Sequence, residues 1–223
     1  ALTFVKGGLE DFSISREKAR LDWGIAVPFD ETQVMYVWFD ALTNYISTLG
    51  WPRDAEGCYK AFWAHGEPMQ VAGKDQVRVQ SIIWQAMLKS ANLTPTHRVF
   101  YHGFITSGGQ KMSKSIGNVI SPYELVERYG TEATRYLLLR HVHSFEDTDI
   151  TWERLDEWYN AHLANGLGNL VSRVMKMAED NLDAPVEIKE QPLEEAFTAK
   201  LDAFRFDEAF DIVFLHIGKG DSH

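Results

Sequence analysis

Apolar side chains recur along this chain first in short runs and later at helical spacing. Three short runs, residues 34–39 (Val-Met-Tyr-Val-Trp-Phe), Met69-Gln70-Val71-Ala72, and Val99-Phe100-Tyr101 with neighbours to Ile105, are each followed by a polar or glycine-containing turn and read as buried strands. Between the second and third, Val79, Ile82, Ile83, Ala86 and Met87 are spaced to face a core from one helix. Asp75 is a candidate cap at its start, and Asn92-Leu93-Thr94-Pro95 marks its end. Strand, helix, strand at this spacing predicts a parallel α/β unit. In such sheets ligands collect beyond the carboxyl ends of the strands, which here means Asp40, Gly73-Lys74-Asp75 and the loop after Ile105.

From Ser121 onward the pattern is helical. Ser121-Pro122-Tyr123-Glu124 is a capping box with proline at the first helical position, Gly130 fits its stop, and Thr131 is placed to cap the next helix. Thr151 opens a pattern to about Asn181, in which Leu155, Trp158, Tyr159, Leu163, Leu167, Leu170, Val174 and Met177 form one stripe. Pro185 and Pro192 bracket a linker, and Leu193 to Ile217 reads as a last amphipathic segment. The prediction is an α/β domain over residues 1–147 and the start of an all-α domain over 148–223.

Composition narrows the function classes. With 223 residues, 45% of them apolar, the chain can bury a sizeable core. It has no run of about eighteen apolar residues, and Ala1–Lys6 is too short and ill-ordered for a signal peptide, so no membrane partner and a cytoplasmic location are expected. Cys58 is the only cysteine, which rules out an internal disulfide and leaves no Cys-x-x-Cys pair for zinc. Any metal would be held by oxygen or by a ligand's phosphates. The net charge of −10 is concentrated in residues 176–223, which carry −7. No broad positive field draws in a polyanion, so a nucleic-acid partner has to be caught by local contacts.

Gly108-Gly109-Gln110-Lys111-Met112-Ser113-Lys114-Ser115 has two lysines three apart, two hydroxyls and two glycines. Lysine ammonium groups are compact charges that can follow a phosphate as charge moves, and glycines let a loop close over a ligand. A lysine pair taken alone is more often a solvated basic loop. Here Lys111–Ser115 reproduces the Lys-Met-Ser-Lys-Ser signature of class I aminoacyl-tRNA synthetases, and Ile116-Gly117-Asn118-Val119-Ile120 with Pro122 resembles its continuation in the methionine, isoleucine, valine and leucine enzymes. Gly73-Lys74-Asp75-Gln76 resembles the stretch with which these enzymes hold ATP; the glycine permits close approach, and a carboxylate can accept from both ribose hydroxyls. His102-Gly103 stands where the resemblance puts backbone and an imidazole near the nucleotide, although a strand-end histidine in a structural hydrogen bond fits equally well.

Tyr36-Val37-Trp38-Phe39-Asp40-Ala41-Leu42-Thr43-Asn44-Tyr45 resembles the methionine-pocket segment of bacterial methionyl-tRNA synthetases, and Asp11–Arg16 with Trp23-Gly24 and Val27-Pro28 resembles the stretch before it. The resemblance spans nearly the whole chain. It implies a methionine site made by Trp38, Ala41, Tyr45, Gln80 and Trp84. An unbranched thioether suits polarizable aromatic walls, which Trp38 can supply, and one weak donor, which Tyr45 can supply. Gln80 and Gln85 depart from the family, which usually has histidine and proline at these points; glutamine keeps a donor and an acceptor but does not titrate. Residues 160–173 resemble the first helix of the family's anticodon-binding domain, with Asn169 and Arg173 sharing a face suited to single-stranded RNA.

The resemblance implies the second half of a Rossmann-like nucleotide-binding fold followed by a truncated helical domain. It also implies a methionine–tRNA ligase that uses ATP and Mg²⁺ carried on the phosphates, with methionine and tRNA(Met) as partners. The family's His-x-Gly-His sequence and zinc-bearing insertion would precede Ala1, so the chain reads as an internal fragment, inactive alone and without zinc. His216-Ile217-Gly218-Lys219 lies after the loop and is a chance likeness. The alternatives are an isoleucyl-, valyl- or leucyl-type synthetase and a catalytically silent tRNA-binding module.

Overall fold

A computed structural model describes residues 1–187 and 189–221 of the chain, which divides after Tyr101 into two units. In the first unit, a short helix α1 (Leu2–Lys6) precedes β1 (Ser15–Glu17), β2 (Ala26–Val27) and β3 (Asp30–Met35). These strands form an antiparallel sheet in the order β1-β3-β2, with Arg16 and Ala26 both opposite Val34. The buried strand expected over residues 34–39 is therefore cut short at Met35. The Tyr36 N–H still donates to the Ile14 carbonyl at 2.8 Å, but the Tyr36 carbonyl accepts from Phe39 and Asp40, so α2 (Val37–Ser47) begins there. Val37 and Trp38 are 55% and 38% exposed. A short apolar run does not by itself distinguish strand from helix.

Wide, π-type turns at Tyr59–Ala64 lead to β4 (Met69–Gly73), a single 3₁₀ turn (Lys74–Gln76), further π turns (Val79–Ile83), α3 (Trp84–Ser90) and β5 (Arg98–His102). The predicted strand, helix, strand order is present, with β4 and β5 neighbours in a two-stranded sheet. Asp75 is not the cap of this helix: it sits exposed inside the 3₁₀ turn and accepts from the Gln76 side chain at 3.3 Å. Leu42, Ile46, Tyr59, Trp63, Trp84 and Leu88 make the core of the unit. Trp63 crosses it to donate Nε1–H to the Thr94 carbonyl at 2.9 Å.

In the second unit the run expected to continue to Ile105 breaks at Gly103. A Cβ there would meet the Glu146 carbonyl oxygen at 2.0 Å, so only glycine permits this approach of two backbones. β6 (Ile105–Ser107) follows as a separate strand, paired antiparallel with β7 (Gln110–Lys111). The capping box of α4 (Pro122–Tyr129) forms as the sequence predicts, and Gly130 ends it at φ 78°. Gly130 also caps α5 (Thr131–His141), so Thr131 is the first helical residue rather than the cap. β8 (Thr148–Asp149) runs parallel to β6.

The Thr151 hydroxyl accepts from the Arg154 N–H and caps α6 (Trp152–Trp158); the chain continues through π turns (Tyr159–Gly168) into α7 (Asn169–Asn181). The predicted helical stretch is present, but its stripe fades, from fully buried Leu155 to Val174 and Met177 at 51% and 64% exposed. The last segment is two helices, α8 (Glu195–Asp202) and α9 (Phe206–Asp221), broken where Phe204 takes φ 58°. Ile120, Leu125, Leu137, Ile150 and Leu155 form the core. Arg140 on α5 donates to the Asp207 carbonyl at 2.7 Å and pairs with Asp211 on α9. His141 stacks on Trp158 with centroids 4.3 Å apart and lies 3.2 Å from the ring nitrogen of His162. Burial, and then the neighbouring His162 and Arg140, push the His141 pKa down to about 4, so near neutral pH its ring is uncharged.

Candidate functional site

Within the first unit, three of the five residues expected to contact methionine come together. Tyr45 on α2 and Gln80 in the π turns are joined by a hydrogen bond, Gln80 Nε2–H donating to the Tyr45 hydroxyl oxygen at 2.9 Å. The phenol ring leans on Trp84 at 5.8 Å between centroids, and Trp84 in turn meets Trp63 edge-on at 6.0 Å. Because the Tyr45 oxygen accepts from an amide, its own hydrogen remains available to a soft acceptor. Two polar atoms in the same cluster, Gln80 Oε1 and Trp84 Nε1, are buried without a hydrogen-bond partner. Buried polar atoms are costly to leave unpaired, and those that persist call for an explanation such as a ligand or a functional role. Trp84 also lines an apolar cavity of about 510 Å³ with Phe39, Thr43, Ile46, Ile83 and Met87.

Trp38 and Ala41 lie elsewhere on α2 and are exposed. Trp38 lines a separate hollow of about 310 Å³ with Phe12, Arg16, Tyr36, Arg78 and Val79, in which the Arg16 guanidinium sits 4.0 Å over the Tyr36 ring. The expected five-residue pocket is thus a three-residue cluster, buried at Gln80 and Trp84 and half-buried at Tyr45, and two exposed residues one and two turns back along the helix. Gln85, noted only as a departure, has a distinct job. Its Nε2–H donates to the Gln80 backbone carbonyl at 2.8 Å, and its Oε1 accepts from the Thr96 N–H at 3.0 Å, bracing the π turns that carry Gln80.

Of the residues expected to hold the nucleotide, Gly73 ends β4 in extended backbone (φ −66°, ψ 151°), and exposed Asp75 follows in the 3₁₀ turn. His102 ends β5, its Nδ1 2.8 Å from the Gly103 carbonyl. This local bond is compatible with either role considered for it.

The lysine loop is a β-hairpin followed by a turn, all within the second unit. Gly108 and Gly109, at φ 64° and 72°, make a two-residue turn that puts Ser107 opposite Gln110 and Thr106 opposite Lys111. Lys111 and Lys114 are both exposed, and neither ammonium has an ion-pair partner among the described residues. Ser113 and Ser115 hydroxyls lie 2.8 Å apart. Asn118 staples the loop: its Oδ1 accepts from the Ser113 N–H at 2.9 Å, while its Nδ2 donates to the carbonyls of Ser107 and Lys111 at 3.2 and 3.3 Å. The hairpin and its Asn118 staple thus hold two exposed lysines, without an ion-pair partner among the described residues, on a fixed backbone.

Asn169 opens α7 and Arg173 lies one turn on; both are exposed. Among the described residues no group of three or more His, Cys, Asp or Glu side chains gathers to hold a metal, and no helix is long and apolar enough to cross a membrane. Sequence reading missed Gln85, Asn118 and Asp149 as bracing groups. Asn118, within the quoted loop, was findable; Asp149 meets Gly109 across forty residues and gives no local signal.

The family described as tRNA synthetases class I (M) matches residues 1–175. The chain is 48% identical over 185 residues to a methionine–tRNA ligase of Brucella suis, a match covering 83% of the chain and 35% of the relative. It is 46% identical over 182 residues to the ligase of the same name from Caldanaerobacter subterraneus, covering 82% and 28%. Among solved structures, the methionyl-tRNA synthetase of Mycobacterium tuberculosis in complex with methionyl-adenylate matches 97% of the chain and 44% of its own length, at 36% identity and a TM-score of 0.82. The chain therefore spans about a third of the length of the curated relatives it matches.

Proposed function

The chain belongs to the family of class I tRNA synthetases of the methionine type, and from that premise we propose that its parent protein activates methionine with ATP and transfers it to tRNA(Met). In this reading residues 1–147 belong to the Rossmann-like catalytic domain and residues 148–223 begin the anticodon-binding domain. We place the reaction in the cytoplasm. The observation that carries the choice of amino acid is the Tyr45–Gln80–Trp84 cluster, with a hydroxyl hydrogen and two buried polar atoms left to a ligand beside aromatic faces.

The reaction needs a methionine carboxylate oxygen to attack the α-phosphorus of ATP while the bond to the bridging oxygen breaks and pyrophosphate leaves. Tyr45, Gln80 and Trp84 orient the thioether; Ala41 and Trp38 stand one and two turns before Tyr45 on the same helix α2. Gly73 lets the nucleotide approach backbone, Asp75 accepts from the ribose hydroxyls, and the His102 ring and backbone flank the nucleotide. Lys111 and Lys114 meet the phosphates as charge moves onto the leaving group. Mg²⁺ would arrive on those phosphates and neutralise part of their charge. The tRNA's terminal ribose hydroxyl then attacks the activated carbonyl and AMP departs, with Asn169 and Arg173 reading unstacked bases of the anticodon.

ATP–pyrophosphate exchange by the complete parent protein tests this directly. Exchange is expected with methionine and not with isoleucine, valine or leucine. A response to one of those three assigns a branched-chain synthetase instead, and no exchange with any of the four leaves a tRNA-binding module.

Tyr45→Phe is expected to raise the methionine KM about fivefold, the worth of one hydrogen bond of about 1 kcal/mol, with the ATP KM unchanged. Equal changes in both constants would put the hydroxyl in the structural core. Arg173→Ala is expected to lower kcat/KM for tRNA ten- to a hundredfold, about 1–3 kcal/mol, while exchange proceeds at the wild-type rate. Unaltered charging kinetics would make the Asn169 and Arg173 face an ordinary solvated one.

A further inference from the structure

We infer that the Asp149 carboxylate is a positioning residue that fixes the lysine loop through the N–H of Gly109; the inference rests on the reading above, in which Lys111 and Lys114 act on phosphates. Gly108 and Gly109 form a turn whose φ values of 64° and 72° suit glycine, and a Cβ on either would meet nothing within 4 Å. Such a turn has no side chain and no packing of its own to hold it, so its direction has to be set from outside.

Asp149 sets it. Its Oδ1 accepts from the Gly109 N–H at 2.6 Å and from the Thr106 hydroxyl at 2.9 Å. Arg154 Nη1 donates to the Asp149 backbone carbonyl at 2.8 Å and to Oδ2 at 3.4 Å. The strand beneath is rigid: β8 pairs with β6 at Thr106↔Asp149, and the next residue, Ile150, is 2% exposed in the core with Leu155 and Leu137. A carboxylate mounted on the core thus grips the one element of the hairpin that is soft. The bond to Gly109, first among its causes, also holds the Asp149 pKa below the usual carboxylate range, so the acceptor is ionised and the bond charge-assisted.

The loop is consequently tied at two places by two different groups. Asn118 joins Lys111 and Ser113 to Ser107 within the loop, while among the described residues the Asp149 carboxylate is the side chain that holds the Gly109 N–H of the turn. Cutting the Asn118 tie would loosen the loop internally; cutting the Asp149 tie would free the Gly108-Gly109 turn at the tip of the hairpin, and with it the direction in which β7 carries Lys111 and the turn with Lys114 that follows. The lysines would still attract ATP, but would meet the α-phosphorus out of position when charge develops, a loss felt in turnover rather than in binding.

The test uses the complete parent enzyme and single-turnover adenylate formation. Asp149→Ala is expected to slow this step ten- to a hundredfold with the methionine KM within twofold of wild type. Asp149→Asn, which keeps an oxygen for the Gly109 N–H, is expected to restore the rate to within about fivefold of wild type. A wild-type rate in the folded Ala variant overturns the inference, as does a rise in methionine KM that matches the fall in rate. Should the Ala variant not fold, Asp149→Leu decides, since it fills the space but removes the acceptor for the Gly109 N–H: a slower step at unchanged methionine KM supports the inference, and an unchanged rate overturns it. A wild-type parent without methionine-dependent exchange sinks the functional reading itself, whereas an active wild type with an indifferent Asp149 sinks this inference alone.

Discussion

Replacing Lys114 by alanine in the complete enzyme is expected to lower the rate of adenylate formation by about 10²–10³, with methionine affinity unchanged. The magnitude is that of one well-placed electrostatic donor lost from a transition state. It falls on rate because pyrophosphate gathers negative charge only as the bond to the α-phosphorus breaks, and an interaction stronger there than in the ground state raises kcat. The geometry favours Lys114 for this role over a binding one. It lies in the turn between Ser113 and Asn118 that the staple closes, exposed and with no ion-pair partner among the described residues, so no counter-charge holds its ammonium away from a phosphate. Lys111, on paired strand β7, is expected to share the loss in part when replaced. Rapid-quench measurement of a single turnover separates the cases. An intact chemical step with weakened methionine binding would make Lys114 a structural or binding group.

Trp84→Ala should be the most destabilising single change in the first unit, costing about 3–5 kcal/mol, the range for large aromatic truncations in a core. Trp84 is 1% exposed and touches both Tyr45 and Trp63. It already borders a cavity of about 510 Å³, so the space left by its indole would join existing space rather than collapse. Hydrogen exchange over α2 and α3 measures the loss where it occurs. Trp84→Phe, which keeps a ring against Tyr45, should cost less than half as much. A loss below about 1 kcal/mol for the alanine variant would show that the cluster is held elsewhere.

How far the sequence carried the structure depended on the range of the signal. The capping box at Ser121, the Gly130 stop and the helix start at Thr151 are contained within a few residues, and each was legible as it stands. Strand β4 was legible as a strand but not as a buried one, since Met69 and Val71 are exposed and polar Gln70 is the buried residue, and the helix after it is broken into a 3₁₀ turn, π turns and α3. Val37–Phe39 were misread because an apolar run has no period of its own; the deciding fact is that the Tyr36 carbonyl accepts from within the chain. The break at Phe204 was invisible for the opposite reason, since the apolar positions on either side continue the pattern of one helix while the backbone turns to φ 58°. At the candidate site, the chemistry of Tyr45 and Trp84 could be anticipated from residue type, and the bond that joins Tyr45 to Gln80 only from the structure, because it spans thirty-five residues. The same limit hid Asp149.

The π turns of Tyr159–Gly168 lie inside what is otherwise one helical rod from Trp152 to Asn181. A turn closed by an i→i+5 bond holds one residue more than an α-turn, so the sequence runs ahead of an ideal wheel by about 100° for each such residue, while the backbone on either side keeps its direction. A helical wheel drawn from Leu155 therefore assigns the wrong compass bearing to residues after Gly168; α7 itself buries no residue on any face, Val174 and Met177 included. The pair Asn169 and Arg173 is immune to this error, because both lie beyond the last wide turn and keep their mutual bearing. Insertions or deletions of one residue have a natural place to be absorbed here: added or removed within Tyr159–Gly168 they widen or close a turn, whereas one residue lost from α7 between Asn169 and Arg173 would swing the guanidinium about a quarter of the way round the rod.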